Sequence, residues 1–329
     1  MEKKRIAYLD AIKCLAILIV LDLHILNLCG VEHYAALSSQ MMYAPVMPLF
    51  FFVSGFLSYK QSMTIKDFWS NISRKFVFLV IPAVVFRIGI DLMNHKNLFG
   101  FITEGMGGYW FTIDLFETFL LYYLVTLAIK NEKWRIGVLL VLSLAGVGML
   151  ALDKGFGPAI FDMRRLTKFF QFFVLGTLAM KFRPKYELLM NTEIMKAALI
   201  VSYFLVLFSL TYDMSPVLHS FLRDVALRYF ATFAIISFFV CHAEGFQRET
   251  KVNSLINCIG QNSLAIYLLH YFFLPHFTLL RKEWFSELNI LTINLISILY
   301  TVAITALCLL FIKFLSNSKF VKQYVLGKK

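Results

Sequence analysis

The feature that most constrains this chain is its first apolar run, residues 5–27, which reads RIAYLDAIKCLAILIVLDLHILN. A helix needs about 20 mostly apolar residues to cross a bilayer, and this run is long enough. It nevertheless carries Asp10, Lys13, Asp22 and His24. Each ionisable side chain at mid-membrane depth costs roughly 2.5–3.5 kcal/mol on insertion scales, so such groups indicate function. The run is therefore predicted to be a membrane helix with a chemical role rather than a plain anchor.

The spacing of these four residues divides them between two faces of the helix. At about 100° per residue, Lys13 and His24 lie about 60° and 40° from Asp10 in one direction, and Asp22 lies about 120° away in the other. Asp10 and Lys13 either line a functional face or form an i,i+3 ion pair at the membrane edge. His24 is either a functional imidazole or a packed, hydrogen-bonded histidine.

The composition extends this interpretation to the whole chain. Its 329 residues are 59% hydrophobic and 16% charged, whereas soluble domains are about 45–50% apolar and about 25% charged. We therefore predict an all-α, polytopic transmembrane bundle of about ten helices, forming a single domain over residues 1–329. Nine spans are possible, because the sixth is short and Pro275 interrupts the ninth. The predicted spans are residues 7–28, 41–59, 76–94, 110–129, 135–152, 166–180, 194–212, 224–241, 255–275 and 289–314.

The net charge of +12 is spread over short basic clusters between apolar runs. This pattern encodes membrane topology rather than nucleic-acid binding, and it predicts that both termini are cytoplasmic. Membrane lipids are then the expected surroundings, in the plasma (inner) membrane. The five cysteines form no CxxC motif, so neither a zinc site nor a disulfide framework is indicated.

Two later spans carry polar stripes. In the fourth, Trp110, Asp114 and Glu117 fall within about 60° of one another, so they share a face. The two carboxylates either line an internal cavity or lie solvated at the outer interface.

In the ninth span, Ser263, Tyr267 and His270 likewise share one face. They either bind a ligand or form interhelical hydrogen bonds that only hold the bundle together. Their spacing matches no metal-binding motif, so no metal is expected.

Basic and small residues give three further local predictions. Arg74 and Lys75 are expected at the inner interface, either as positive-inside anchors or as a cationic mouth for a cytosolic phosphate-bearing ligand. Arg87 and Asp91, spaced i,i+4, are expected to pair. Ser54–Gly55 is a small-residue patch that another helix can approach closely.

A pair of prolines, Pro45 and Pro48, is expected to bend the start of the second span or leave it non-helical.

Five ordered blocks resemble the acyltransferase-3 family of integral membrane O-acyltransferases. They read RIAYLDAIKCLAILIVLDLHI, MPLFFFVSGFL, YWFTIDLF, FFQFFVLGTLAMKF and IGQNSLAIYLLHYFF. The first is similar to the family opening, in which Arg, Leu-Asp and a basic residue precede an apolar run that ends in His. The last is similar to the late block of Gly, Asn-Ser and Ile-Tyr-Leu-x-His. The resemblance implies transfer of an acyl group, commonly acetyl, from cytosolic acyl-CoA to a hydroxyl of a cell-surface glycan, exopolysaccharide or glycolipid.

The resemblance and the chemistry of acyl transfer together suggest roles for individual residues. His24 corresponds to the family's first-helix histidine and is predicted to be the general base, or a transient acyl acceptor. Asp114 or Glu117 is predicted to orient it. The predicted ligands of the CoA phosphates are Arg74, Lys75 and Lys13. The predicted substrate-binding residues are Ser263, Tyr267, His270 and Trp110.

The chain departs from the family pattern at two places. Lys13–Cys14 replaces a frequent Arg-Gly, and Lys13 lacks the planar fork of Arg. Phe78 stands where a second Arg often follows the first, which weakens the case for a two-arginine phosphate clamp. The alternative function is a polysaccharide or small-molecule transporter that uses buried His, Asp and Glu as a proton relay.

Overall fold

The computed structural model describes residues 5–28, 36–151, 163–274 and 288–327, and within these ranges it is helical without a strand. The helices of the first half are α1 Ala7–Leu28, α2 Ala36–Ser58, α3 Ile65–Lys75, α4 Ile81–Met93, α5 Gly100–Glu104, α6 Trp110–Ala128 and α7 Glu132–Ala151. Those of the second half are α8 Met163–Lys181, α9 Arg183–Met190, α10 Glu193–Ser209, α11 Pro216–Phe221, α12 Leu227–Cys241, α13 Ala243–Gln247, α14 Lys251–Gln261, α15 Ser263–Phe273 and α16 Ile290–Leu315.

Four helical segments are long and apolar enough to cross a membrane: Ile65–Met93, Gly107–Ala128, Pro216–Cys241 and Leu291–Leu315. A fifth is possible if Arg183–Met190 and Glu193–Ser209, bent by 69°, form one broken span. The described residues thus support a multi-pass membrane protein, with fewer clear spans than the ten predicted. Helix α1 has the length of a span, but it carries three charged residues, Asp10, Lys13 and Asp22.

The third span begins earlier than predicted. Thr64 caps α3 by accepting a hydrogen bond from the Asp67 N–H, while the Asp67 side chain accepts from the Thr64 N–H. This reciprocal capping box starts a helix at the residue that follows the cap. The helix continues through a π-helical turn, Phe76–Val80, into α4. Arg74 and Lys75 therefore lie within a helix and not in the loop before it.

The second helix remains helical through both of its prolines. Pro45 and Pro48 lie inside α2, so of the two predicted alternatives, a bent start or a non-helical one, the non-helical start is wrong. Each proline removes one backbone donor, but most hydrogen bonds of a 23-residue helix remain.

The predicted ninth span is divided at Asn262 into α14 and α15. The Asn262 side-chain amide donates a hydrogen bond to the Cys258 carbonyl at 2.7 Å. In a continuous helix this carbonyl would accept only from the Asn262 backbone N–H. Asparagine side chains compete with helix bonds in this way. The predicted interruption at Pro275 lies outside the described residues.

The helices cluster into two compact units: residues Met1–Phe50 with Pro184–Lys313, and Phe51–Arg183 with Phe314–Lys329. In the first unit α1 packs against α12, α14 and α15. A close crossing lies at Gly260, where an added Cβ would overlap the Asp10 carbonyl oxygen.

In the second unit α7 packs against α8, and α6 packs against both. Gly55 and Gly176 lie at a close helix crossing, because a Cβ on Gly55 would overlap the Phe173 carbonyl and one on Gly176 would overlap that of Phe52. The predicted small-residue contact at Ser54–Gly55 is confirmed.

Candidate active site

Three rings meet in the first unit, where α1 faces α15. His24 Nε2 lies 3.0 Å from Tyr271 Oη, within hydrogen-bond distance. The His24 and His270 ring centres are 5.3 Å apart, and those of His270 and Tyr271 are 4.1 Å apart. His24 and Tyr271 are half-buried, whereas His270 is fully buried. The side chains of His24 and Tyr271 are therefore partly exposed, whereas that of His270 is enclosed.

One ring nitrogen of His270 is hydrogen-bonded and the other is not, among the described residues. Its Nδ1 lies 2.6 Å from the Tyr267 carbonyl oxygen. Because a carbonyl only accepts, Nδ1 carries the hydrogen. In the neutral ring Nε2 is then an acceptor, and this buried atom has no hydrogen-bond partner among the described residues. A buried polar atom without a partner is uncommon in folded proteins, and this one lies beside the candidate base.

Asp22 faces a different helix from His24, as the spacing along α1 predicted. Its Oδ1 accepts a hydrogen bond from Ser297 Oγ at 2.5 Å and one from Thr301 Oγ1 at 3.5 Å, both on α16. All three side chains are buried. The carboxyl group therefore ties the last long helix to the helix that carries His24.

Lys13 forms the ion pair that its spacing allowed. Its Nζ lies 2.8 Å from Asp10 Oδ1, while Arg5 Nη2 lies 2.6 Å from Asp10 Oδ2. Two cations thus share one carboxylate, which leaves excess positive charge at this end of α1. A role for Lys13 toward CoA remains a prediction.

The other two predicted residues of α15, Ser263 and Tyr267, are also buried. Ser263 is 7% exposed and Tyr267 is 4% exposed. The Tyr267 and His270 ring centres are 5.9 Å apart. Ser263 precedes His270 by seven residues, about 10 Å along a helix. Their shared face is confirmed, but Ser263 is remote from the three-ring cluster.

In the second unit, Asp114 binds Arg165. Arg165 Nε lies 3.1 Å from Asp114 Oδ2, and its guanidinium lies 5.2 Å from the Trp110 ring centre. Asp114 is 0% exposed and Glu117 is 8% exposed. The alternative of two solvated carboxylates is therefore wrong. Their role in orienting His24 remains a prediction, because they belong to the second unit and His24 to the first.

Arg74 and Lys75 contact uncharged groups. Arg74 Nη2 donates to Asn71 Oδ1 at 3.2 Å, and Lys75 Nζ lies 3.6 Å from the Phe119 ring centre. Within the described part of the chain, neither pairs with a carboxylate. By contrast, Arg87 Nε and Asp91 Oδ2 form the predicted pair at 2.8 Å.

Sequence analysis missed Tyr271, Arg165 and Ser297. Tyr271 follows His270 and lies four residues after Tyr267, so the helical stripe already contained it. Arg165 and Ser297 carried no comparable signal, since only the fold brings them to Asp114 and Asp22.

No three His, Cys, Asp or Glu side chains come together as a metal site would require, within the described ranges.

A family model described as an acyltransferase domain, Acyl_transf_3, matches residues 6–313, nearly the entire chain. No curated protein and no solved structure matches it significantly.

Proposed function

The chain belongs to the acyltransferase-3 family, and from this premise we propose that it transfers an acetyl group from cytosolic acetyl-CoA to a hydroxyl of a cell-surface glycan, exopolysaccharide or glycolipid. The family and the membrane helices make it a membrane acyltransferase. The donor, the acceptor and the location in the plasma (inner) membrane belong to the proposal.

The observation that carries the proposal is the half-buried His24 ring, hydrogen-bonded to Tyr271. A thiolate leaves readily from a thioester, so the leaving group needs little activation. The acceptor hydroxyl does need a base, and an imidazole can take its proton near neutral pH. His24 is the imidazole that a substrate can reach, because His270 is fully buried.

The proposed reaction is a single displacement at the thioester carbonyl. The acceptor hydroxyl binds at His24 Nε2 beside the Tyr271 hydroxyl and gives its proton to that nitrogen. Its oxygen forms a C–O bond with the carbonyl carbon as the C–S bond breaks. The proton then passes to the departing thiolate, so the products are an ester and the CoA thiol.

The neighbouring residues have supporting roles in this scheme. Tyr271 orients the His24 ring, and His270 packs against both of these rings. Asp114 and Glu117 are proposed to support the base, and Trp110, Ser263 and Tyr267 to contact substrate. Arg74, Lys75 and Lys13 are proposed to bind the CoA phosphates, since cationic side chains form strong hydrogen bonds with phosphate.

Purified protein in liposomes, supplied with acetyl-CoA labelled in the acetyl group, tests this proposal. An acyltransferase releases the CoA thiol, measured with a thiol reagent, and moves the label to water or to an added glycan. Liposomes without protein control for spontaneous hydrolysis. Label that remains on CoA, with no thiol release above this control, would contradict the proposal and favour a transporter.

A further inference from the structure

A second polar site lies in the first unit, at the opposite end of α1 from His24. It is a cavity of about 850 Å³ between the start of α1 and the segment that leads from α13 through α14. The residues that define its chemistry are Arg5, Arg248, Lys251, Ser254, Asn257 and Gln261. Arg5, just before α1, and Arg248 and Lys251, at the entrance to α14, all line this cavity.

The cavity has an excess of positive charge. Arg5, Arg248 and Lys251 line it together with one acidic residue, Glu249. Among the described residues, Arg248 and Lys251 form no ion pair. Arg5 and Lys13 share the single carboxylate of Asp10, so this group of three side chains keeps a net positive charge. Lysine and arginine in such an arrangement favour a phosphate-bearing ligand.

One face of α14 adds uncharged hydrogen-bonding groups. Ser254, Asn257 and Gln261 are spaced three and four residues apart, so they project from the same side of the helix. None of these side chains is hydrogen-bonded within the described residues. Side-chain amides of Asn and Gln pair well with the N6 and N7 edge of adenine. The cavity therefore combines groups for phosphate with groups for a purine base.

Two helical segments, α1 and α14 with α15, lead from the cavity to the candidate base. Helices α1 and α14 touch where Gly260 meets Asp10. From there His24 is 14 residues further along α1, and His270 is ten residues further along α14 and α15. At 1.5 Å per residue these distances are about 21 and 15 Å. Acyl-CoA has this layout, with a long pantetheine arm between its nucleotide and its thioester.

We propose that this cavity binds the adenosine end of acyl-CoA, with the ribose 3′-phosphate on Arg248, Lys251 and Arg5 and the adenine on Asn257 and Gln261. The inference rests on the proposed acyl-CoA donor, and it names a binding site for that donor.

Cys258 reports directly on occupancy, because it is exposed and lines the cavity. In a Cys29→Ser, Cys241→Ser background, the rate of Cys258 modification by a maleimide is measured with and without adenosine 3′,5′-bisphosphate. The nucleotide is expected to slow modification at least fivefold. The double variant Arg248→Ala, Lys251→Ala should lose this protection, whereas the charge-matched Lys319→Ala, Lys322→Ala should retain it.

Two results would overturn the proposal: no protection of Cys258, or equal protection in the Arg248→Ala, Lys251→Ala variant. Protection by phosphatidylglycerol but not by the nucleotide would assign the cavity to lipid headgroups and would also overturn it. Protection is measured without turnover, so it decides the question even if the protein transfers no acetyl group.

A kinetic comparison separates this inference from the proposed function. Acetyl-pantetheine carries the same thioester as acetyl-CoA but no nucleotide. The Arg248→Ala, Lys251→Ala variant should raise KM for acetyl-CoA about tenfold and leave KM for acetyl-pantetheine unchanged. An equal change for both donors contradicts the cavity assignment, whereas a wild type inactive on both contradicts the proposed function.

Discussion

Tyr271 Oη lies 3.0 Å from His24 Nε2, although the two residues are 247 positions apart in the chain. The contact joins α1, near the start of the chain, to α15, near its end. It fixes the ring of the candidate base and marks the nitrogen at which an acceptor hydroxyl would bind.

Tyr271→Phe removes the hydroxyl and keeps the ring that packs on His24 and His270. A hydrogen bond of this kind contributes about 0.5–1.5 kcal/mol, so kcat is expected to fall up to about tenfold. KM for acetyl-CoA should not change, because the hydroxyl holds the base and not the nucleotide. Steady-state kinetics measure both constants. Tyr212→Phe, at an exposed position in the same unit, is the control, and an equal loss in both variants would refute the orienting role.

Gly260→Ala should separate α1 from α14. The added methyl would overlap the Asp10 carbonyl, and backbone cannot move aside as a flexible side chain can. Overpacking of this kind costs typically about 1–3 kcal/mol, so the melting temperature in detergent should fall. Gly245→Ala is the matched control, since no atom lies within 4 Å of its added Cβ. Equal melting temperatures for wild type and Gly260→Ala would show that this crossing is not tight.

Asp22→Ala should destabilise the protein because it leaves two buried hydroxyls, Ser297 and Thr301, without their acceptor. An unsatisfied buried polar group costs about 1–3 kcal/mol. Asp22→Asn retains an acceptor oxygen and should be milder. Thermal unfolding in detergent measures both, with the exposed Asp213→Ala as control. If Asp22→Ala melts like wild type, the Asp22 contact does not hold α16.

Arg74→Ala with Lys75→Ala should raise KM for acetyl-CoA about tenfold or more, because charge-assisted bonds to phosphate contribute about 1.5–3 kcal/mol. The exposed Lys66→Ala on the same helix controls for lost surface charge. Steady-state kinetics at two salt concentrations measure the effect. An unchanged KM would leave these residues as positive-inside anchors only.

The sequence predicted the helical membrane class and several local contacts. The i,i+3 pair Asp10–Lys13 and the i,i+4 pair Arg87–Asp91 followed from helix periodicity, because both partners lie on one helix. The opposite directions of Asp22 and His24 followed from the same periodicity. The contact partners of these two residues could not be predicted in this way, because Tyr271 and Ser297 lie far along the chain.

Helix boundaries were harder to predict where a polar side chain bonds to the backbone. The Thr64 cap starts α3 upstream of the apolar run of the third span, and the Asn262 side chain ends α14 inside the apolar run of the ninth. Hydropathy averages over such single residues, so it placed both boundaries wrongly. The approach of His270 to His24 depends on the packing of α1 against α15, which no local pattern in the sequence specifies.

The central claim is that His24 is the base for acyl transfer. The direct test is the rate of CoA thiol release from acetyl-CoA by wild type and His24→Gln, reconstituted in liposomes and matched for melting temperature. Loss of a general base typically costs about 10²–10⁴-fold in rate, and we expect the variant to fall in that range. A folded His24→Gln that releases CoA thiol at the wild-type rate would contradict the account.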